Sequence, residues 1–194
     1  MVRDGLINIE RSNSRKYFFT SDLWLHFCHK NILHLTETPF HSVQERDEAI
    51  IKRWNEVVGE NDTVYVLGDF CFGLNSKEIG DLLHKLKGIK ILIKGNHDKV
   101  GPNEKSQGWN EICMYKDIVI DGRHIVMMHF PIAEWNGAWY GGVHLYGHCH
   151  GHFDLAKYSK DFPHHNTNCM DVGVDTHNWY PWSWDEIKEK LNLG

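Results

Sequence analysis

The feature that most constrains the fold is a repeated pattern in which a short apolar run ends at a turn followed by a polar side chain. Thr63–Leu67 ends at Gly68-Asp69, and Ile89–Ile93 is followed shortly by Asn96. Short runs rich in Val and Ile and bounded by turn residues are typical of buried strands. The pattern therefore predicts a sheet with polar side chains just beyond its strand ends.

Helical patterns separate the early strands. Ser42-Val-Gln-Glu45 is typical of a capping box and precedes an apolar face that includes Ile50 and Trp54. Further along, Ile118–Ile120 and His124–Met128 flank an Asp-Gly turn, which indicates a hairpin. Strands alternate with helices in the early half, and strands are more frequent in the later half. This order predicts an α/β protein with a mixed sheet or with two packed sheets.

Length and composition narrow the class of protein. The 194 residues fit a single domain over 1–194, and no apolar run approaches the roughly 20 residues that a membrane helix needs. The first ten residues lack the apolar core of a signal peptide, and the five cysteines show no paired spacing. We therefore expect a cytoplasmic protein without disulfides. A net charge of −5 argues against binding to duplex nucleic acid.

Donor side chains are concentrated at the predicted strand ends. Carboxylate, amide and imidazole groups together suit divalent manganese, iron, nickel or zinc. His148 and His150 are two residues apart, so on an extended backbone they point to the same side. Each block alone is weak evidence, but together they predict a metal centre. The candidate residues are Asp22, Asp69, Asn96, His97, Asp98, His129, His148 and His150.

These blocks, in this order, resemble the motifs of the calcineurin-like metallophosphoesterases. That family carries Asp-x-His, Gly-Asp, Gly-Asn-His-Asp/Glu, His and Gly-His-x-His. The likeness runs from about Phe18 to the C-terminal helix and is greatest to small bacterial and phage members. It implies an α/β sandwich of two mixed β-sheets flanked by helices. It also implies a hydrolase of phosphoric esters, a phosphodiesterase or phosphatase.

The resemblance further implies two divalent ions, with manganese favoured and iron, nickel or zinc as alternatives. The carboxylate of Asp69 would bridge them. One ion would also bind Asp22, a histidine of the first motif and His150, and the other would bind Asn96, His129 and His148. Attack by a metal-bound hydroxide would follow.

The Gly-Asn-His-Asp block would also contact the substrate. By the same resemblance, Asn96 and His97 would touch the phosphate, and His97 would protonate the leaving oxygen as the general acid. Asp98 is placed with His97 as a candidate catalytic residue that sets the orientation of its ring.

The first motif departs from the family pattern, because Trp24 stands where Asp-x-His requires histidine. An insertion of two residues would make His26 the missing ligand and would direct His29 and Asn31 to the phosphate. The competing alignment leaves Trp24 in the ligand position, with His26, His29 or no residue replacing the histidine.

The expected substrate is a small phosphorylated molecule, for which a nucleotide is one candidate. A scaffold with weakened catalysis that binds a partner protein is the alternative suggested by Trp24. A nuclease would need a basic groove, which the acidic net charge does not favour. The sequence distinguishes neither monoesters from diesters nor one phosphorylated molecule from another.

Overall fold

The computed structural model describes residues 15–26, 38–99, 108–159 and 167–194, so His29 and Asn31 lie outside the described residues. Nine strands form in the described ranges. They are β1 (Tyr17–Thr20), β2 (Thr63–Val66), β3 (Ile89–Ile93), β4 (Glu111–Cys113), β5 (Lys116–Ile120), β6 (Arg123–Met127), β7 (Val143–Tyr146), β8 (Cys169–Asp171) and β9 (Trp182–Ser183).

The strands form two sheets, and each is mixed. The first has the order β4-β3-β2-β1-β9, in which β1 to β4 are parallel and β9 is antiparallel to β1. The second has the order β5-β6-β7-β8, in which only the β5–β6 hairpin is antiparallel. The predicted α/β sandwich of two mixed sheets flanked by helices is confirmed. It is the architecture implied by the resemblance to metallophosphoesterases.

Four helices are described, namely α1 (Val43–Val57), α2 (Ser76–Leu83), α3 (Leu155–Ser159) and α4 (Trp184–Lys190). Short 3₁₀ turns form at Ala138–Tyr140 and Val174–His177. None of the helices in these ranges has the length and apolar character needed to cross a bilayer. Helix α3 and strands β4 and β9 were not predicted. Each is five residues or shorter, too short to show a clear hydrophobic period.

The predicted capping box of α1 forms only in part. The Ser42 hydroxyl accepts from the Glu45 amide, but the Glu45 carboxylate accepts from the His41 amide instead of the Ser42 amide. Ile50 and Trp54 are buried as predicted, whereas Val57 is 38% exposed. Arg46 is also buried, which the sequence did not predict. A buried guanidinium is costly unless it forms ion pairs or hydrogen bonds.

The first sheet lies between two apolar layers because its successive side chains point to opposite faces. Phe18, Val64 and Val66 belong to the cluster beneath α1 and α2. Phe19 and Tyr65 belong to a second cluster, which fills the space between the two sheets. Burial on both faces fixes the register of β1 and β2, because a slip of one residue would move each side chain into the apolar layer on the opposite face. The loops beyond the strand ends are therefore held by a rigid scaffold.

Candidate metal centre

The predicted donors come together because the strands that carry them are parallel. Asp22, Asp69 and Asn96 follow β1, β2 and β3 of the first sheet. His129 follows β6, and His148 and His150 follow β7 of the second sheet. The Ser21–Gly173 bridge and the hydrogen bond from the His148 amide to the Asp22 carboxylate (2.8 Å) join the two sheets at this edge.

Two carboxylates and one imidazole form the buried centre of this cluster. Asp22, Asp69 and His129 are 3%, 2% and 0% exposed, and one ligand atom from each lies within 4.8 Å of the others. Burying two carboxylates so close together is costly unless a cation neutralises them. The Oδ1 atom of Asp22 is buried and has no hydrogen-bond partner. The site therefore fits a divalent cation.

The tautomer of His129 supports the same conclusion. Its Nδ1 lies 2.7 Å from the Leu67 carbonyl, which can only accept, so Nδ1 carries the proton. In the neutral ring, Nε2 then presents a lone pair 3.0 Å from Oδ1 of Asn96 and 3.6 Å from Oδ2 of Asp69. Three acceptor atoms that converge without a proton between them suit a metal ion. The backbone carbonyl orients the ring for that purpose.

His150 is oriented in the same way by a carboxylate. Its Nδ1 lies 2.7 Å from Oδ2 of Asp175, and its Nε2 lies 3.8 Å from Oδ1 of Asp22. A carboxylate that holds the outer nitrogen fixes the tautomer with Nε2 free to ligate. Asp22 and His150 thus form a second donor pair beside that of Asn96 and His129. Asp69 lies against His129 and belongs to the same buried triad as Asp22.

The protonation states of Asp22 and His150 depend on each other. Burial raises the pKa of Asp22, although the charge of His150 opposes the rise. Burial by itself lowers the pKa of His150, but the hydrogen bond to Asp175 and the charge of Asp22 raise it overall. The pair therefore retains a proton near neutral pH. A divalent cation would displace this proton, so metal affinity should increase with pH.

The backbone around the donors is strained. Asp22, Asp69, His148 and His150 have φ values of 57°, 52°, 68° and 49°, in the left-handed region that non-glycine residues rarely adopt. Such strain persists only where the surrounding structure enforces it, and it is frequent at functional sites. Gly95 passes so close to Asp69 that a β-carbon would collide with its carboxylate oxygen.

Asp98 supports the loops from behind. Its carboxylate accepts from the backbone amides of Asp69 (2.8 Å), Phe70 (3.0 Å) and Gly95 (2.8 Å). Burial raises the pKa of Asp98, and these hydrogen bonds oppose the rise. Within the described ranges, no hydrogen bond or ion pair joins Asp98 to the His97 ring. The geometry thus shows Asp98 holding two loops together, and its catalytic assignment stays a prediction.

Trp24 lies beside the candidate acid. The Trp24 ring is centred 4.6 Å from the His97 ring and 6.3 Å from the His150 ring. His26 is exposed, and its backbone amide donates to Asp47 at 2.7 Å. This arrangement favours the alignment with Trp24 in the ligand position. Ligation by His26 stays a prediction, as do the phosphate contacts of His29 and Asn31.

Asp171 and Asp175 are site residues that the sequence analysis missed. Asp171 accepts from the amides of Gly151 and Gly173 and so fixes the loop after His150. Strand β8 ends at Asp171, and the chain then turns into the 3₁₀ segment that carries Asp175. The signal was an acidic residue at a strand end, as at Asp22 and Asp69.

Comparison with known proteins places the chain among relatives of similar length. The uncharacterized protein MJ1445 of Methanocaldococcus jannaschii is 32% identical over 183 residues, which cover 93% of this chain and 93% of that protein. The chain belongs to the MJ1445 family. The gene 66 protein of Mycobacterium phage L5 is 27% identical over 209 residues, covering 90% of this chain and 93% of the phage protein.

A solved structure extends the comparison to three dimensions. The protein of unknown function AQ665 from Aquifex aeolicus matches with a TM-score of 0.68 and 26% identity, covering 92% of this chain and all of that one. No family model matches the sequence. This chain thus shares its architecture with AQ665.

Proposed function

We propose that the protein hydrolyses phosphate esters at a centre that holds two divalent metal ions. The observation that carries the proposal is the convergence of acceptor atoms at the strand ends. The Nε2 atoms of His129 and His150 both face buried carboxylates, because their Nδ1 atoms are bound by other groups. This cluster of acceptor atoms would bind cations, and the bound cations would attract the negatively charged phosphate group of a substrate.

The donors divide into two sets in the proposed centre. Asp22 and His150 would hold one ion, and Asn96, His129 and His148 would hold the other. Asp69 would contact both. When bound, two such ions polarise the phosphoryl oxygens and lower the pKa of the attacking water. The mixture of carboxylate, amide and imidazole favours manganese, with iron, nickel and zinc as alternatives.

His97 is proposed as the general acid. Its amide donates to Oδ1 of Asp69 at 3.0 Å, which fixes the residue next to the centre. Its ring packs against Trp24 and faces Phe72 at 6.2 Å, a packing that limits the rotation of the imidazole. A positioned imidazole can protonate the departing oxygen near neutral pH. We propose a small phosphorylated molecule, such as a nucleotide, as the substrate.

The proposal is tested with aryl phosphate monoesters and diesters, assayed with manganese and after chelation. We expect metal-dependent turnover of at least one ester class. His97→Ala should lower kcat by about 10²- to 10⁴-fold, as for other general acids, while the manganese content by elemental analysis stays unchanged. His84→Ala, at an exposed position after α2, is the matched control. Absence of turnover on every ester would contradict the proposal.

The position of Trp24 favours a second candidate, a scaffold with weakened catalysis that binds a partner protein. Tryptophan cannot ligate a metal, and its ring is centred within 6.3 Å of both the His97 and the His150 rings. Elemental analysis and added metal distinguish the two candidates. Low occupancy with no activity restored by any of the four metals supports the scaffold, and turnover restored by manganese supports the hydrolase.

A further inference from the structure

A cavity of about 280 Å³ lies beside His97, the proposed general acid. This volume is near the lower end of small-molecule pockets, roughly 300 Å³. His97 and Asp98 line one part of the cavity, and the rest is lined chiefly by residues of the loop after β2, by α2 and by Trp109. The cavity is thus adjacent to His97, and the proposed metal ligands do not line it.

The cavity walls are mostly aromatic and aliphatic. Phe70, Phe72 and Trp109 contribute rings, and the rings of Phe70 and Trp109 are perpendicular with centroids 4.9 Å apart. Ile79 on α2 adds an aliphatic surface. Aromatic walls favour flat ring systems, which gain both burial and ring–ring contact.

Polar recognition within the cavity is limited. The carboxylate of Asp98 already accepts from three backbone amides, so little of its hydrogen-bonding capacity remains for a ligand. The positive charge in the lining is on Lys99, which is exposed and whose Nζ lies 5.9 Å from the centre of the Phe72 ring. An exposed cation in the lining would attract an anionic ester, and the apolar walls would then select an apolar group.

We propose that this cavity receives the leaving-group side of the substrate, and that the preferred substrate is a phosphate ester whose alcohol carries a flat aromatic ring. The inference rests on the proposed hydrolase function, since it assigns His97 to the leaving oxygen. The phosphoryl group lies over the metal centre, His97 lies at the scissile oxygen, and the ring enters between Phe72 and Trp109. Ile79 and the aromatic walls then determine specificity.

The test compares phenyl phosphate with 2-naphthyl phosphate, two esters of similar leaving-group acidity that differ by one ring. If the enzyme accepts only diesters, their methyl diesters replace them. The manganese-loaded protein should show a KM about tenfold lower for the naphthyl ester, because the second ring adds buried apolar area. Equal KM values for the two esters would overturn the proposal.

Filling the cavity provides the second arm of the test. Ile79→Phe should remove the naphthyl preference, raising the KM for that ester about tenfold while changing that for phenyl phosphate much less. Ile51→Phe is the matched control, because Ile51 is a half-buried helical residue that packs on the same core cluster but does not line the cavity. Equal effects of the two variants would overturn the proposal. If Ile79→Phe does not fold, Leu74→Phe fills the cavity from the loop.

Failure of the hydrolase function is separated from failure of the cavity assignment by direct binding. If neither ester is turned over, 2-naphthyl phosphate is titrated calorimetrically into the manganese-loaded protein. Binding that is weakened at least fivefold by Ile79→Phe, but not by Ile51→Phe, supports the cavity as an aromatic site without the proposed catalysis. Binding that is the same in all three proteins overturns the cavity assignment.

Discussion

At the scale of single residues, the centre depends on groups that orient its donors. Asp175 is the clearest case, because its side chain is 8% exposed and one oxygen is committed to His150. Its other oxygen is buried without a partner. A buried carboxylate in this state is costly on its own. We therefore assign Asp175 as a positioning residue that fixes the tautomer and angle of His150.

Replacing Asp175 tests this assignment. Asp175→Ala frees the His150 ring to rotate and to change tautomer, so manganese affinity should fall by about 10- to 100-fold, as for other outer-sphere partners. Calorimetric titration of manganese measures the change. Asp185→Ala, which removes an exposed carboxylate from α4, should leave the affinity unchanged. An unchanged affinity in Asp175→Ala would show that the hydrogen bond is dispensable.

The position of Trp24 shows where residue-level prediction from sequence stops. An insertion of two residues and a replacement of the motif histidine by Trp24 both fit the sequence after Asp22. Residue spacing alone does not determine which side chain of the loop points into the site. The structure shows the Trp24 amide bound to the Asp69 carbonyl and the Leu25 amide bound to the Phe70 carbonyl, which continues the pairing of these two segments past the strands. That long-range pairing carries the Trp24 ring to His97.

At the scale of elements, the sequence predicted most of what lies at the strand ends. Ile89–Ile93 was predicted with its observed bounds, because a buried parallel strand leaves a short apolar run between turn residues. The two-residue strand β9 and the assignment of each strand to one of the two sheets were not predicted, since both depend on partners distant in sequence. The same limit explains why the contact between His150 and Asp175 was missed.

Helix α1 holds the loop after β1 through Arg46. Arg46 is 3% exposed, and its guanidinium donates to the Trp24 carbonyl at 2.6 Å and pairs with Asp47 at 2.8 Å. Asp47 in turn accepts from the His26 amide. The helix thus supports both ends of the segment that follows Asp22.

Arg46→Met should destabilise the protein by about 2–4 kcal/mol, because it leaves the buried Trp24 carbonyl without its donor and removes the cation that pairs with Asp47. Urea unfolding measures the loss. Lys52→Met on the same helix removes an exposed pair of 3.9 Å and should cost no more than about 0.5 kcal/mol. A loss below about 1 kcal/mol in Arg46→Met would contradict the role of this residue.

At the scale of the whole molecule, the centre exists only when both sheets are folded and docked. One set of donors follows the first sheet and the other follows the second, and the Ser21–Gly173 bridge links them. Conditions that loosen the second sheet should therefore disrupt metal binding even when the first sheet stays intact. Acidic pH is such a condition, because the second sheet contains a buried histidine.

His144 in β7 is fully buried, and burial lowers its pKa to about 4. Its Nδ1 donates to the Val126 carbonyl at 3.1 Å, and its Nε2 accepts from the Ile132 amide at 3.2 Å. The neutral ring therefore satisfies both partners. Protonation would place a charge beside the rings of Trp135 and Tyr146 and would turn the acceptor nitrogen into a donor.

The sign of the pH dependence follows from this lowered pKa. An unfolded histidine binds its proton below about pH 6.5, whereas folded His144 stays neutral until about pH 4. The contribution of neutral His144 to the free energy of unfolding is therefore fully present above pH 6.5. The free energy of unfolding should fall by about 3 kcal/mol as the pH drops to 4. Urea unfolding of the metal-free protein across this pH range measures the loss of stability.

His144→Gln, which cannot titrate, should be less stable at pH 7 but should lose about 3 kcal/mol less on acidification. Parallel pH profiles for the two proteins would show that another group controls the acid stability.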